Sequence, residues 1–168
     1  MAAVEIKLTG IDGVIDTLKS MPAEVVSKRG GPVKSALRKG ALVILKVEKT
    51  NLQAVTTNAT TDEKRESTGL LLKNLIASRG KAPSSGKGER VLVRVKRKTY
   101  PGRKGGKPVT TLKTAQLLEY GSSKQPAEPW IRPAFLSKSE EAIRTVEREL
   151  VAGIERIAKK LLRQNGVK

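Results

Sequence analysis

The sequence predicts an α+β domain, a small antiparallel sheet packed against two longer helices, with a long basic hairpin or loop. Three observations carry that reading. Apolar and polar residues alternate through Val4–Leu8 and again through Val91–Val95, the period of a half-buried strand. Val33, Leu37, Ala41, Ile44 and Val47 recur at three and four residues, the period of an amphipathic helix. Ile143, Val146, Leu150, Ile154, Ile157 and Leu161 do the same near the C-terminus. The 168 residues suit one domain, 1–168, with a basic arm at 79–108 inside it.

Each element has a local justification. Val4, Ile6 and Leu8 make the first strand, which Gly10 ends. Asp12 is placed to cap a short helix carrying Ile15 and Leu18 inward, stopped by Pro22. Gly30-Gly31-Pro32 breaks the chain and sets Pro at a first helical position, so a helix is predicted from about Pro32 to about Glu48. The Thr-rich stretch from Thr50 to Thr68 reads as a loop. Thr68 then caps a helix with Leu71, Leu72, Leu75 and Ile76 on one side and Gly80 at its end.

Lys81–Gly88 reads as a flexible connector and Arg90–Lys98 as a strand with one cationic face. Tyr100–Pro108 looks like a hairpin tip, which makes Val109–Leu112 the returning strand. Thr114–Tyr120 is predicted as a short helix ending at Gly121. Pro126, Pro129 and Pro133 punctuate a rigid extended segment, and the last helix runs from about Ser137 to about Arg163.

Composition narrows the function. The chain has no Cys and no His, which excludes disulfides, thiol catalysis and most zinc and iron–sulfur sites. It also removes the commonest general base. Carboxylates are scattered, so no metal site, cofactor or catalytic residue is expected. Gly106-Lys107 is followed by Pro108 rather than Ser or Thr, which fails the phosphate-loop pattern. Ser84-Ser85-Gly86-Lys87 lies in a linker that cannot preorganise a nucleophile. The longest apolar run is Ala41–Leu45, against about 20 residues for a membrane span, and no signal-peptide stretch opens the chain. A non-enzymatic protein with no membrane partner is the expectation.

Charge is the second feature. Thirty-four Lys and Arg against sixteen Asp and Glu leave a net +18. Eleven of those cations fall between Arg79 and Lys107 against Glu89 alone, which is +10 in 29 residues. Arg90, Arg94, Lys96, Arg97, Lys98, Arg103, Lys104 and Lys107 form the body of this arm. Three readings fit: contact to DNA phosphates, docking on an acidic protein neighbour, or a solvated loop. By composition the arm is expected to be extended or poorly ordered in the isolated subunit.

The unusual segment is Leu117–Leu136, LLEYGSSKQPAEPWIRPAFL. It holds three of the four aromatics in the chain, Tyr120, Trp130 and Phe135, beside Pro126, Pro129 and Pro133. One reading is a rigid loop pinning the last helix to the core. The other adds a surface that joins subunits, with Arg132 pairing with a carboxylate such as Glu119 or one on a neighbour.

Glu119-Tyr120-Gly121, followed by small polar residues and then Pro126-Ala127-Glu128-Pro129-Trp130-Ile131-Arg132-Pro133-Ala134-Phe135, resembles a signature of tailed-phage structural proteins. The family is that of the minor tail components, the gene-product-ten-like proteins, which act at the neck and in tail completion. Val4–Asp12, the helix around Ala36–Lys49, Thr68-Gly69-Leu70-Leu71 and the last helix follow the same order of elements. Trp130 stands where the family more often has Phe.

The resemblance implies a structural subunit of the head–tail joining region, a neck, tail-completion or tail-terminator protein of a long-tailed bacteriophage. It implies a ring, most often a hexamer, around the DNA channel. The partners would be other copies of the chain, adjacent head-closure or connector and tail proteins, and the DNA backbone. The place implied is the virion, after assembly in the host cytoplasm. The alternative is a non-enzymatic basic nucleic-acid-binding module of ribosomal or nucleoid type.

Overall fold

A computed structural model of the chain describes residues 31–57, 68–81, 88–101 and 108–164. It is an α+β arrangement of four helices and a two-stranded antiparallel sheet, with the two long helices packed together. The expected Val4–Leu8 strand and the Asp12 helix lie outside the described residues. Helix α1 spans Pro32–Thr57, α2 Leu70–Asn74, α3 Thr111–Tyr120 and α4 Ile131–Gln164; strands β1 and β2 are Leu75–Arg79 and Val91–Val95.

Helix α1 opens on Pro32, whose missing N–H costs nothing there. It continues nine residues beyond Glu48, through the stretch that its threonines mark as a loop. Thr50 and Thr56 turn their hydroxyls back to the carbonyls of Lys46 and Leu52, while Leu52 is 1% exposed in the core. Burial of that leucine overrides the weak local preference of its neighbours.

Small residues decide how α1 meets α4. The buried stripe of α1 contains Ala36 and Gly40, with Val33, Leu37 and Ala41 beside it half-buried. A Cβ on Gly40 would stand 2.5 Å from Val146 Cγ2 and 2.9 Å from the Ala142 carbonyl. One on Gly153 would stand 2.5 Å from Pro32 Cβ. The helices run antiparallel in close approach, with Asn51 meeting the start of α4 and Pro32 meeting Gly153. A Lys39–Glu149 ion pair lies across the seam at the surface.

The chain from Leu70 to Arg79 changes state midway. The expected single helix ends at Asn74, whose side chain donates to the Leu70 carbonyl, and Leu75 turns extended at φ −82°, ψ 111°. Leu75–Arg79 then pairs with Val91–Val95, with Leu75 opposite Val95 and Arg79 opposite Val91. The two paired strands are therefore those joined across 81–88, while the reversal expected at 100–108 is kept only as a short antiparallel contact in which the Tyr100 N–H donates to the Val109 carbonyl. The returning strand expected at Val109–Leu112 reduces to a bridge between Thr99 and Thr110, because α3 already begins at Thr111.

A two-stranded sheet is marginal alone and needs a helix under it. Leu75, Ala77, Val93 and Val95 face α1 and join Leu45, Leu52, Leu71, Ala115 and Trp130 in one core. Among the described residues no helix is long and apolar enough to cross a membrane.

Candidate interaction site at the start of the last helix

Helix α3 is fixed at both ends. Thr110 caps its start by accepting from the Lys113 N–H, and Thr111, fully buried, donates to the Lys96 carbonyl at 2.8 Å and accepts from the Lys98 N–H at 2.9 Å. At the other end Gly121 sits at φ +71° and its N–H donates to the Leu117 carbonyl. A Cβ there would lie 2.8 Å from the Ala127 nitrogen, so both conformation and space require glycine.

The chain then reverses. Ser122 and Gln125 exchange backbone hydrogen bonds around a tight turn, and the Glu128 N–H donates to the Leu118 carbonyl at 2.8 Å. This brings residues 126–130 back along α3 to Glu119. The Glu119 carboxylate accepts from the backbone N–H of Trp130 and of Ile131, both at 2.8 Å, and of Arg132 at 3.1 Å. The first turn of a helix leaves four N–H groups without partners. Glu119 takes three of them, and Pro133 has no fourth to offer. Negative charge at that end also opposes the helix dipole favourably.

This cap moves the start of α4 to Ile131, six residues before the expected Ser137. Pro133 consequently lies in the first helical turn, whereas Pro126 and Pro129 stay outside any helix or strand. Arg132 meets Glu119 through its backbone, not through the side-chain ion pair expected from the sequence; its side chain is exposed.

Trp130 joins this cap to the core. Its carbonyl accepts from Asn51 Nδ2 of α1 at 3.2 Å, and its side chain is fully buried. Among the described residues the indole Nε1 has no hydrogen-bond partner, and a buried donor left so costs roughly 1–3 kcal/mol. Tyr120, Phe135 and Leu136 are 71%, 40% and 65% exposed. The segment therefore divides in two: Glu119, Gly121 and Trp130 build the fold, while Tyr120, Arg132, Phe135 and Leu136 face outward. Phe135, unlike Trp130, does not fill the core.

Three contributors were not singled out in the sequence: Glu48, Asn51 and Thr111. Glu48 is three residues after Leu45 and four before Leu52, which places it on the buried face of α1. Burial, and secondarily the negative charge of Glu119, push its carboxyl up from 4.5 to about 7. Between those values the folded chain holds a proton that the unfolded chain releases. Stability contributed by the neutral group is thus intact below about 4.5 and is lost as pH rises to about 7. Glu48→Gln is expected to flatten this fall, gaining about 1–2 kcal/mol at pH 8 relative to pH 5 once solvent screening is discounted. Thermal melts at both pH values check it; parallel losses in wild type and variant would exclude Glu48 as the cause.

The other predicted residues divide by position. Arg90, Arg94, Lys96, Arg97 and Lys98 are all exposed on or beside β2. Arg103, Lys104 and Lys107 lie outside the described residues. The parts of the arm that are described form a paired strand and its flanks, with Arg79 bound by Glu89 at 2.8 Å, rather than a structureless extension. Among the described residues no group of three or more acidic side chains is placed to hold a metal. No family model, curated protein or solved structure matches the chain.

Proposed function

We propose that the chain is a structural subunit of the head–tail joining region of a long-tailed bacteriophage, a neck, tail-completion or tail-terminator protein that assembles as a ring around the DNA channel. One observation carries the reading: the Glu119–Phe135 signature folds into a rigid, self-capped unit with an unused outer half. A carboxylate, a left-handed glycine and a buried tryptophan hold the backbone, and Tyr120, Arg132 and Phe135 project from it. Aromatic and arginine side chains on a stiff backbone are what subunit contacts favour. Repetition of one heterologous contact closes a ring, here a hexamer, bounded by head-closure or connector proteins and by tail proteins. The ring belongs to the virion and forms in the host cytoplasm.

Arg132→Ala is the test. The folded subunit is expected to melt within about 0.5 kcal/mol of wild type, because the Arg132 backbone, not its side chain, serves the cap. Assembly of tailed particles is expected to fail. Native mass spectrometry of the wild type is expected to show a closed multiple of the 18.2 kDa chain, near six copies. Wild-type assembly by the variant would overturn the interface. A strict monomer encoded beside ribosomal or nucleoid genes, rather than portal and major tail genes, would favour the basic nucleic-acid-binding module instead.

A further inference from the structure

The sheet has two unlike faces. Odd-numbered Val91, Val93 and Val95 are half-buried, and Val93 and Val95 pack on the core, while even-numbered Leu92 and Arg94 are exposed. The register continues past both strand ends, since the Gly80 N–H donates to the Arg90 carbonyl and the Lys96 N–H to the Asn74 carbonyl. Arg90, Leu92, Arg94 and Lys96 therefore share the outer face with Ile76, Ser78 and Gly80. Gly80 leaves room there: a Cβ on it would meet the Arg90 stem and Leu92 Cδ1, each at 3.0 Å.

We propose that this outer face binds the phosphate backbone of duplex nucleic acid through Arg90, Arg94 and Lys96. Alternate strand residues are about 6.6–6.8 Å apart, so the cations form a row of fixed step with Leu92 as its one gap. None of the outer-face positions holds a carboxylate, and among the described residues none of the three cations is in an ion pair. Arg94 is already oriented. Its Nε donates to Ser78 Oγ at 2.7 Å, which leaves the four N–H groups of its terminal nitrogens for an anion.

The chemistry selects among polyanions. A protein partner would want an apolar or aromatic centre with charge at the rim, and lysine is depleted at such centres. Here Leu92 is the only exposed apolar side chain on the face. Single strands are held by stacking bases on aromatic rings, and the outer-face positions include none. A cationic row on a fixed step, interrupted once at Leu92 and without a pocket, suits a regular array of phosphates, read without regard to sequence. The inference does not depend on the ring; it assigns a partner to the cationic face that the sequence left open.

Fluorescence anisotropy with a labelled random duplex, titrated across salt concentrations, tests it on the full chain. The variant carries Arg90→Gln, Arg94→Gln and Lys96→Gln; the control removes equal charge from α4 by Arg144→Gln, Arg148→Gln and Arg156→Gln. The slope of log affinity against log salt is expected to become shallower by about 2.7 in the first, and by less than about one in the control. Two unrelated duplexes should bind alike. Far-UV circular dichroism and Trp130 emission verify folding; if the triple variant does not fold, Arg94→Gln alone should shift the slope by about 0.9. Equal losses in variant and control, no binding at low salt, or a marked preference for one duplex sequence would overturn the proposal. So would displacement of the duplex by polyglutamate at lower charge concentration, which would assign the face to an acidic protein. Native mass spectra of the same samples report the ring separately, so loss of one reading leaves the other standing.

Discussion

Glu119→Ala is expected to destabilise the folded chain by about 3–4 kcal/mol, a large share of the roughly 5–15 kcal/mol that holds a domain together. Each hydrogen bond to an ionised group contributes about 1.5–3 kcal/mol, and Glu119 makes three. They do not add in full. The Trp130 N–H is buried and would be left unsatisfied, whereas the Ile131 and Arg132 N–H groups are only partly buried and can turn to water. The change also removes a negative charge from beside Glu48, so its carboxyl should fall part of the way toward 4.5; burial, the larger cause, keeps the rest. Glu119→Gln should recover about half the loss, since one amide oxygen still accepts but the charge is gone. Urea unfolding followed by Trp130 emission measures both variants. A cost for Glu119→Ala below about 1 kcal/mol would show that α4 starts without this cap.

What the sequence made legible follows from how local each signal is. Periodicity placed both long helices and strand β2, because their apolar stripes are determined by neighbours three, four or two residues away. The ends were harder to read. Nothing within four residues of Ile131 announces a helix start, since the capping carboxylate is twelve positions earlier and arrives only after the chain reverses at Ser122–Gln125. The partner of β2 is hidden for a related reason. Leu70–Ile76 is an uninterrupted apolar run except for Lys73 and Asn74, and such a run does not distinguish helix from strand. Pairing across the 81–88 connection decides it. The signature residues were visible as a group, but their division into an inner and an outer half was not. Glu48 was hidden differently: a carboxylate on an amphipathic helix is ordinarily solvated, and only the packing of α3 and α4 over that face reveals the burial.

Trp130→Ala is expected to cost about 3–5 kcal/mol, comparable to Glu119→Ala but for a different physical reason. The indole touches no solvent and packs with Leu45 and Leu52 of α1, Leu71 of α2, Leu75 of β1 and Ala115 of α3. Removing it opens a cavity where four elements meet, and the surrounding leucines, held by their own helices and strand, cannot collapse into it. One term works in the opposite sense. Nε1 is buried without a partner among the described residues, so truncation also deletes a donor whose desolvation they do not repay. Trp130→Phe separates the two contributions: it keeps most of the ring packing and drops the N–H, so its cost should be below about 1.5 kcal/mol. Far-UV circular dichroism is the readout, because the variants lose the only tryptophan. If phenylalanine costs as much as alanine, the indole N–H is satisfied in solution and the orphan-donor account fails. If alanine costs less than about 1 kcal/mol, the junction of α1, α2, α3 and β1 does not depend on this ring, and the rigid base proposed for the Tyr120–Arg132–Phe135 surface loses its support.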